Sequence, residues 1–368
     1  MIGESSTARP SPSRRAMGLL ARGLGYAAGL FLLLLITFLA LRVSPLLAFK
    51  ALWTGAFGDA ETGHWDAISE TLVESTPLLL TGLSVVMAWR AGMFSIGAEG
   101  QLLMGALAAS WVATLGSALP SPLLMLLMLG VGMSAGAGWG AIAGWLRVRR
   151  NIQEVISTIM LNYIALSLVG WAALGPLHGK TQSGPHTDPL PEKLMLPPML
   201  PIQWAGFQTR LHWGALLAFL AVPLLFVLLY RTAAGHGLRV LGQNPEAARV
   251  ARYPIQRLRM QAMLASGGLC GLAGAIQLMG INGKMGTDFS PGWGYTAVPV
   301  ALLGGLHPMG AMFSALFFGA LGAGCDNAQR SSAVGVPSVV SYVIQAATVL
   351  AIVGVRAWQF RRTGTETD

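Results

Sequence analysis

Leu211–Tyr230 reads LHWGALLAFLAVPLLFVLLY, a run without an acid, lysine or arginine, bracketed by Arg210 and Arg231. A helix of that length at about 1.5 Å per residue crosses roughly 30 Å, the hydrocarbon thickness of a bilayer, so the run reads as a membrane span. Comparable runs occupy Leu24–Leu41, Thr71–Ala88, Gly97–Gly116, Leu123–Leu146, Val155–Leu174 and Met260–Ile281. Trp293–Leu306 and Met309–Cys325, shorter and parted by His307-Pro308, together with Pro337–Val355, bring the expected number of spans to ten. Composition agrees. Of 368 residues, 54% are hydrophobic and 11% charged, against about 25% charged in an ordinary globular domain. So few charges cannot dress a soluble surface, and so apolar a chain is not disordered. The same scarcity argues against a nucleic-acid partner, despite a net charge of +9. The expected class is an all-α polytopic membrane protein.

Basic residues set the orientation. Arg9, Arg14, Arg15 and Arg22 precede the first span, and Arg147, Arg149 and Arg150 follow the fourth. Six arginines crowd Arg231–Arg259, and Arg356, Arg361 and Arg362 follow the last span. By the positive-inside rule these segments are cytoplasmic, and both termini with them. The expected organisation is a basic cytoplasmic segment 1–23, a transmembrane domain 24–356 and a tail 357–368. Within the domain, 231–259 is a cytoplasmic loop and 176–208 an outside loop. The first apolar run is longer than a secretory signal core and no small-x-small site precedes Arg42, so it reads as an uncleaved span.

Gly132, Gly136, Gly140 and Gly144 recur every four residues and share one helix face, the pattern of close helix packing. Polar residues inside spans demand more explanation, because a charge at a helix centre costs about 2.5–3.5 kcal/mol on insertion scales. Glu74 precedes Pro77 in the second span, and Glu99 and Gln101 open the third. Glu154 opens the fifth, with Ser157, Thr158 and Asn162 following over two turns, and Gln277 and Asn282 close the seventh. Singly, each is most simply an interhelical hydrogen bond; together they outline a passage for a small polar solute.

No catalytic constellation accompanies them. Gly175–Thr181 imitates a phosphate loop, but only three residues separate its glycines where four are required. The six histidines lack paired metal-ligand spacing, and Cys270 and Cys325 lie in apolar runs, so neither a metal site nor a disulfide is expected. If transport is driven by ATP, the ATPase is another chain.

Arg231–Arg259 carries the mechanistic clue. Asn244-Pro245-Glu246 reads as a helix start, with Asn as cap, Pro at the first helical position and Glu facing the positive dipole end. Ala247, Ala248 and Arg249 continue this short basic helix toward Arg252, and Pro254 ends it by disfavouring helix at Tyr253. Such a helix suits a groove in a partner protein, or alternatively the lipid headgroups.

These residues resemble a known family. Arg90–Gln101, RAGMFSIGAEGQ, is similar to the R-x-G-x-F-N-I-G-x-E-G-Q signature of permeases from bacterial ATP-binding cassette (ABC) importers of nucleosides and simple sugars. Glu154–Tyr163, EVISTIMLNY, resembles that group's E-V-I-x-T-I-M-L-N-Y, and Gly237–Ala248 its cytoplasmic coupling loop. Ala301–Gly305 with Pro308 and Gly310 resembles its late A-L-L-G-x-x-x-P-x-G. Ser95 replaces the usual Asn, and Arg252-Tyr253-Pro254 stands where the family tends to have Tyr-Ala-Gly. The resemblance implies a ten-span permease of the type II importer class in a bacterial inner membrane, without ATPase activity of its own. It implies a second permease, ATPase subunits holding ATP and Mg, and an external binding protein or lipoprotein that delivers the solute. Gly242 and Asn244–Arg249 would receive the ATPase stroke. A proton-coupled transporter relaying protons through Glu74, Glu99 and Glu154 is the alternative.

Overall fold

The computed structural model describes residues 44–59, 64–115, 119–180, 184–199 and 209–330, with isolated positions 29, 32, 35, 36 and 346. The expected first span, the tenth span, segment 1–23 and tail 357–368 lie outside the described residues apart from those isolated positions, and so does the 200–208 end of the long loop. Among the described residues all regular structure is helical, beside two isolated bridges, His186 with Gly286 and Pro198 with His212.

In chain order the helices are α1 (Pro45–Phe57), α2 (His64–Arg90), α3 (Ala98–Leu115), α4 (Ser121–Arg150), α5 (Glu154–Leu174) and α6 (Trp213–Arg231). They continue as α7 (Ala233–Gln243), α8 (Pro245–Val250), α9 (Ile255–Gln277), extended by a π turn at Leu278–Asn282, then α10 (Trp293–Leu303) and α11 (Pro308–Arg330). Among the described residues six are long and apolar enough to span a membrane: Asp66–Arg90, Ser121–Arg150, Glu154–Leu174, Trp213–Arg231, Ile255–Asn282 and Pro308–Arg330. The chain divides into two units. Thr54–Gly324 forms one; Met1–Trp53 with Cys325–Asp368 forms the other, where the Asn327 amide donates to the Ala51 carbonyl at 2.9 Å.

The larger unit is organised by glycine. Gly132, Gly136, Gly140 and Gly144 are all buried on α4 and face α9, as their spacing predicts. A β-carbon at Gly136 would overlap the Gly267 carbonyl oxygen, and one at Gly105 of α3 would overlap the Gly271 backbone. The three helices therefore touch backbone to backbone, where dispersion replaces the hydrophobic drive that lipid cannot supply.

Several boundaries differ from expectation. The 231–259 segment is mostly helical: α7 precedes the short helix, and α9 begins at Ile255 rather than Met260. α7 escapes a search for apolar runs because only one face is apolar, with Leu238 and Leu241 buried while the Arg239 guanidinium lies 4.8 Å over the Tyr230 ring. α8 stops at Val250, short of Arg252, which turns left-handed at φ 58°. There the Tyr253 and Arg252 amides donate back to the Ala248 and Arg249 carbonyls, closing the helix end. α1 lies between the first and second expected spans, too short to register as a span.

Candidate functional site

α2 ends in a Schellman turn: the Gly92 and Met93 amides donate to the carbonyls of Trp89 and Ala88, and Gly92 takes the left-handed φ of 71° that favours glycine. Met93–Ile96 then runs without helix until α3 starts at Ala98. Non-helical backbone at membrane depth survives only where protein satisfies it, and here the partners come from α5. Glu154 Oε1 accepts from the Phe94 amide at 3.3 Å, and Thr158 Oγ1 from the Ile96 amide at 3.2 Å. Asn162 uses both ends of its amide, accepting from Gly100 N at 2.9 Å and donating to the Ile96 carbonyl at 2.9 Å. The register has a geometric basis. Four helical residues rise about 6 Å, which sets Glu154 and Thr158 one turn apart to meet the Phe94 and Ile96 amides, while the Ser95 amide donates to the Met93 carbonyl at 2.9 Å and closes a tight turn around Phe94. Trp89 Nε1 braces the opposite side through the Ser95 carbonyl at 3.0 Å, and Arg147 Nε lies 3.1 Å from Glu154 Oε2.

A second interruption faces the first. After the π turn, residues 283–292 are non-helical, and α10 begins at Trp293, capped by Ser290 Oγ, which accepts from Gly292 N at 3.1 Å and Trp293 N at 3.3 Å. The Gly294 amide then donates to Glu99 Oε2 at 2.7 Å, and a β-carbon at Gly294 would overlap the Glu99 backbone. The N-termini of α3 and α10 thus meet, and the Glu99 carboxyl lies between two positive dipole ends. α10 has 11 residues and so spans about 16 Å, half the hydrocarbon thickness. Its far end returns to α2, where Arg90 donates to the Leu306 carbonyl at 2.7 Å and the Gly305 carbonyl at 3.2 Å. Glu99 consequently sits about half a membrane away from Arg90.

Of the sequence-derived candidates, Glu99 and Asn162 meet at this junction, Thr158 holds the segment that leads to it, and Glu154 lies at that segment's Arg90 end beside Arg147. Ser157 donates to the Glu154 carbonyl of its own helix at 3.1 Å. Gln101 is buried, near Gly140, and its Oε1 has no hydrogen-bond partner among the described residues. Gln277 donates to Asn282 Oδ1 at 3.2 Å, and Asn282 to the Phe289 carbonyl at 2.9 Å, bracing the second interruption. Glu74 lies elsewhere, on α2 opposite Gly322. Among the described residues no three potential metal ligands cluster. Sequence reasoning passed over Tyr163 and Tyr295, which are 62% and 48% exposed, Tyr295 beside Asn162. For Tyr163, a tyrosine halfway along an apolar run and away from the interfacial belts was the available signal; Tyr295, at the start of its run, carried none.

At the Arg90 end, Gly242 closes α7 so tightly against α2 that a β-carbon would overlap the Arg90 carbonyl oxygen. Asn244 caps α8 as expected, Oδ1 accepting from Glu246 N at 2.9 Å and Ala247 N at 3.1 Å, with Pro245 at the first helical position. Only Ala248 of α8 is buried; Glu246 and Arg249 pair at 2.8 Å on its exposed face, and Val250 is 84% exposed.

Residues 67–353 match the family described as branched-chain amino acid transport system / permease component. The chain is 34% identical to a guanosine ABC transporter permease of Bacillus subtilis, over 93% of this chain and 94% of that one. It is 33% identical to a glucose ABC transporter permease of Haloferax volcanii (90% and 87%) and 31% identical to a nucleoside ABC transporter permease of Lactococcus lactis (88% and 87%). These likenesses support the ATP-driven reading and leave the proton-coupled alternative without support.

Proposed function

Because the chain belongs to the branched-chain amino acid transport permease family and is the permease subunit of an ABC transporter, we propose that it imports a nucleoside or simple sugar across a bacterial inner membrane. The solute arrives from an external binding protein or lipoprotein, a second permease completes the passage, and partner ATPases hold ATP and Mg. The observation that carries this reading is the meeting of two interrupted spans at Glu99. Interrupted spans whose helix N-termini face each other near half depth form solute sites in transporters, because the freed backbone and the dipole ends offer polarity where lipid offers none. Tyr163 and Tyr295 support the placement. Both are largely exposed, Tyr295 with its side chain bonded to Asn162, and amphipathic tyrosines at mid-depth do not suit hydrocarbon, so this face lines a passage toward the second permease rather than meeting lipid.

The basic clusters put the Arg90 end in the cytoplasm. There α7 and α8 meet the ATPases, and the segment around His186 faces outside. Tyr295, at the exposed edge of the junction, presents a phenol that can replace the water around a sugar hydroxyl, while the buried Glu99 carboxyl and Asn162 amide hold the backbone behind it. The permease reconstituted in proteoliposomes with its second permease, ATPases and binding protein should take up radiolabelled guanosine or glucose only with ATP. Uptake driven by a pH gradient without ATPase overturns the proposal.

A further inference from the structure

We propose that Met93–Gly97 is a strut that carries motion from the ATPase-docking helices to the Glu99 junction, with Thr158 and Asn162 as its positioning residues. The inference rests on the reading of α7 and α8 as the ATPase contact. It follows from a continuous run of backbone-level contacts. At the cytoplasmic end Gly242 of α7 seats directly on the Arg90 carbonyl, and the β-carbon that Gly92 lacks would lie 3.2 Å from the Gly242 Cα. No side chain intervenes to absorb a displacement, so motion of α7 reaches the Arg90–Gly92 turn undamped. The same turn holds α10 through the two Arg90 bonds to the Gly305 and Leu306 carbonyls.

From Gly92 the chain is non-helical, tightened by the Ser95 amide donating to the Met93 carbonyl at 2.9 Å, and it ends at the first turn of α3 where Glu99 receives the Gly294 amide. α5 supplies the track. Thr158 holds the Ile96 amide and Asn162 holds the Ile96 carbonyl and the Gly100 amide, so the upper half of the strand cannot slip past α5 without breaking these three bonds. Below them the Phe94 amide is tied more loosely to Glu154, at 3.3 Å. Both ends of α10 therefore feel the strut, one through Arg90 and one through Glu99. Movement of the docking helices tilts the two helix N-termini together and alters their exposure.

Thiol labelling in the assembled transporter tests this. The native cysteines Cys270 and Cys325 are buried, which leaves introduced thiols readable. Phe94→Cys and Tyr295→Cys, both at exposed positions, are labelled with N-ethylmaleimide without nucleotide and after trapping with ATP and vanadate. The labelling rate should change severalfold at both. Adding Thr158→Val, which keeps the side-chain shape but cannot accept from Ile96, should abolish the response at Tyr295→Cys while Phe94→Cys still responds, and Thr158→Ser should restore it. A Tyr295→Cys response that persists beside Thr158→Val, or no response at either position in the otherwise unaltered complex, overturns the strut. A response that behaves as expected in a complex that takes up neither guanosine nor glucose supports the strut and counts against the solute assignment alone.

Discussion

Replacing Asn162 by leucine removes, at a buried position, a side chain of nearly the same size that makes two backbone bonds. The Gly100 amide loses its acceptor and the Ile96 carbonyl its donor. Leaving a buried polar group without a partner costs about 1–3 kcal/mol, so Asn162→Leu should cost about 2–6 kcal/mol. The lower limit alone is a shift of roughly 30-fold in the population holding the 93–100 segment in place. Thr158→Val strands only the Ile96 amide and should cost about half as much, 1–3 kcal/mol. The expected order is wild type, Thr158→Val, Asn162→Leu, both in thermal unfolding of detergent-solubilised protein and in ATP-driven uptake per molecule in the membrane. Asn162→Leu with wild-type unfolding temperature and uptake would refute the reasoning, since its amide would then hold nothing.

At the cytoplasmic end, Gly242→Val forces a side chain into the Arg90 carbonyl and should abolish uptake while the protein still reaches the membrane; retained uptake removes the docking contact from the account. Asn244→Ala loses the bonds to Glu246 N and Ala247 N, should destabilise α8 by about 1 kcal/mol, and should weaken co-purification of the ATPase. A cysteine at Glu192 should react with an impermeant thiol reagent from outside intact cells and one at Gln243 should not, the reverse result inverting every assignment of side.

How far the sequence reached depends on the range of the interactions involved. Leu211–Tyr230, the glycine stripe of α4 and the cap at Asn244 were legible because apolar runs, four-residue periodicity and capping chemistry act within a few residues. The site was legible only as a set of expensive polar residues. That Glu99 meets Gly294, 195 positions away, or that Asn162 serves Ile96 and Gly100, leaves no local trace, because a broken span is stabilised by whichever helix happens to pack beside it. The two interruptions were hidden for the same reason. Residues 91–97 read as the approach to an apolar run, and 283–292 as an ordinary loop. α7 was missed because six arginines in 231–259 imply a loop until the burial of Leu238 and Leu241 is seen.

The central claim is that solute crosses at the junction of the two interrupted spans. Tyr295→Cys, at its exposed edge, can be modified with a bulky methanethiosulfonate reagent in proteoliposomes that contain the whole transporter with its second permease, ATPases and binding protein, with Leu224→Cys, 72% exposed on α6, as the comparison. ATP-driven uptake of radiolabelled guanosine or glucose should stop on modifying Tyr295→Cys, return when dithiothreitol removes the adduct, and be unaffected by modifying Leu224→Cys. Wild-type uptake through fully modified Tyr295→Cys would contradict the account.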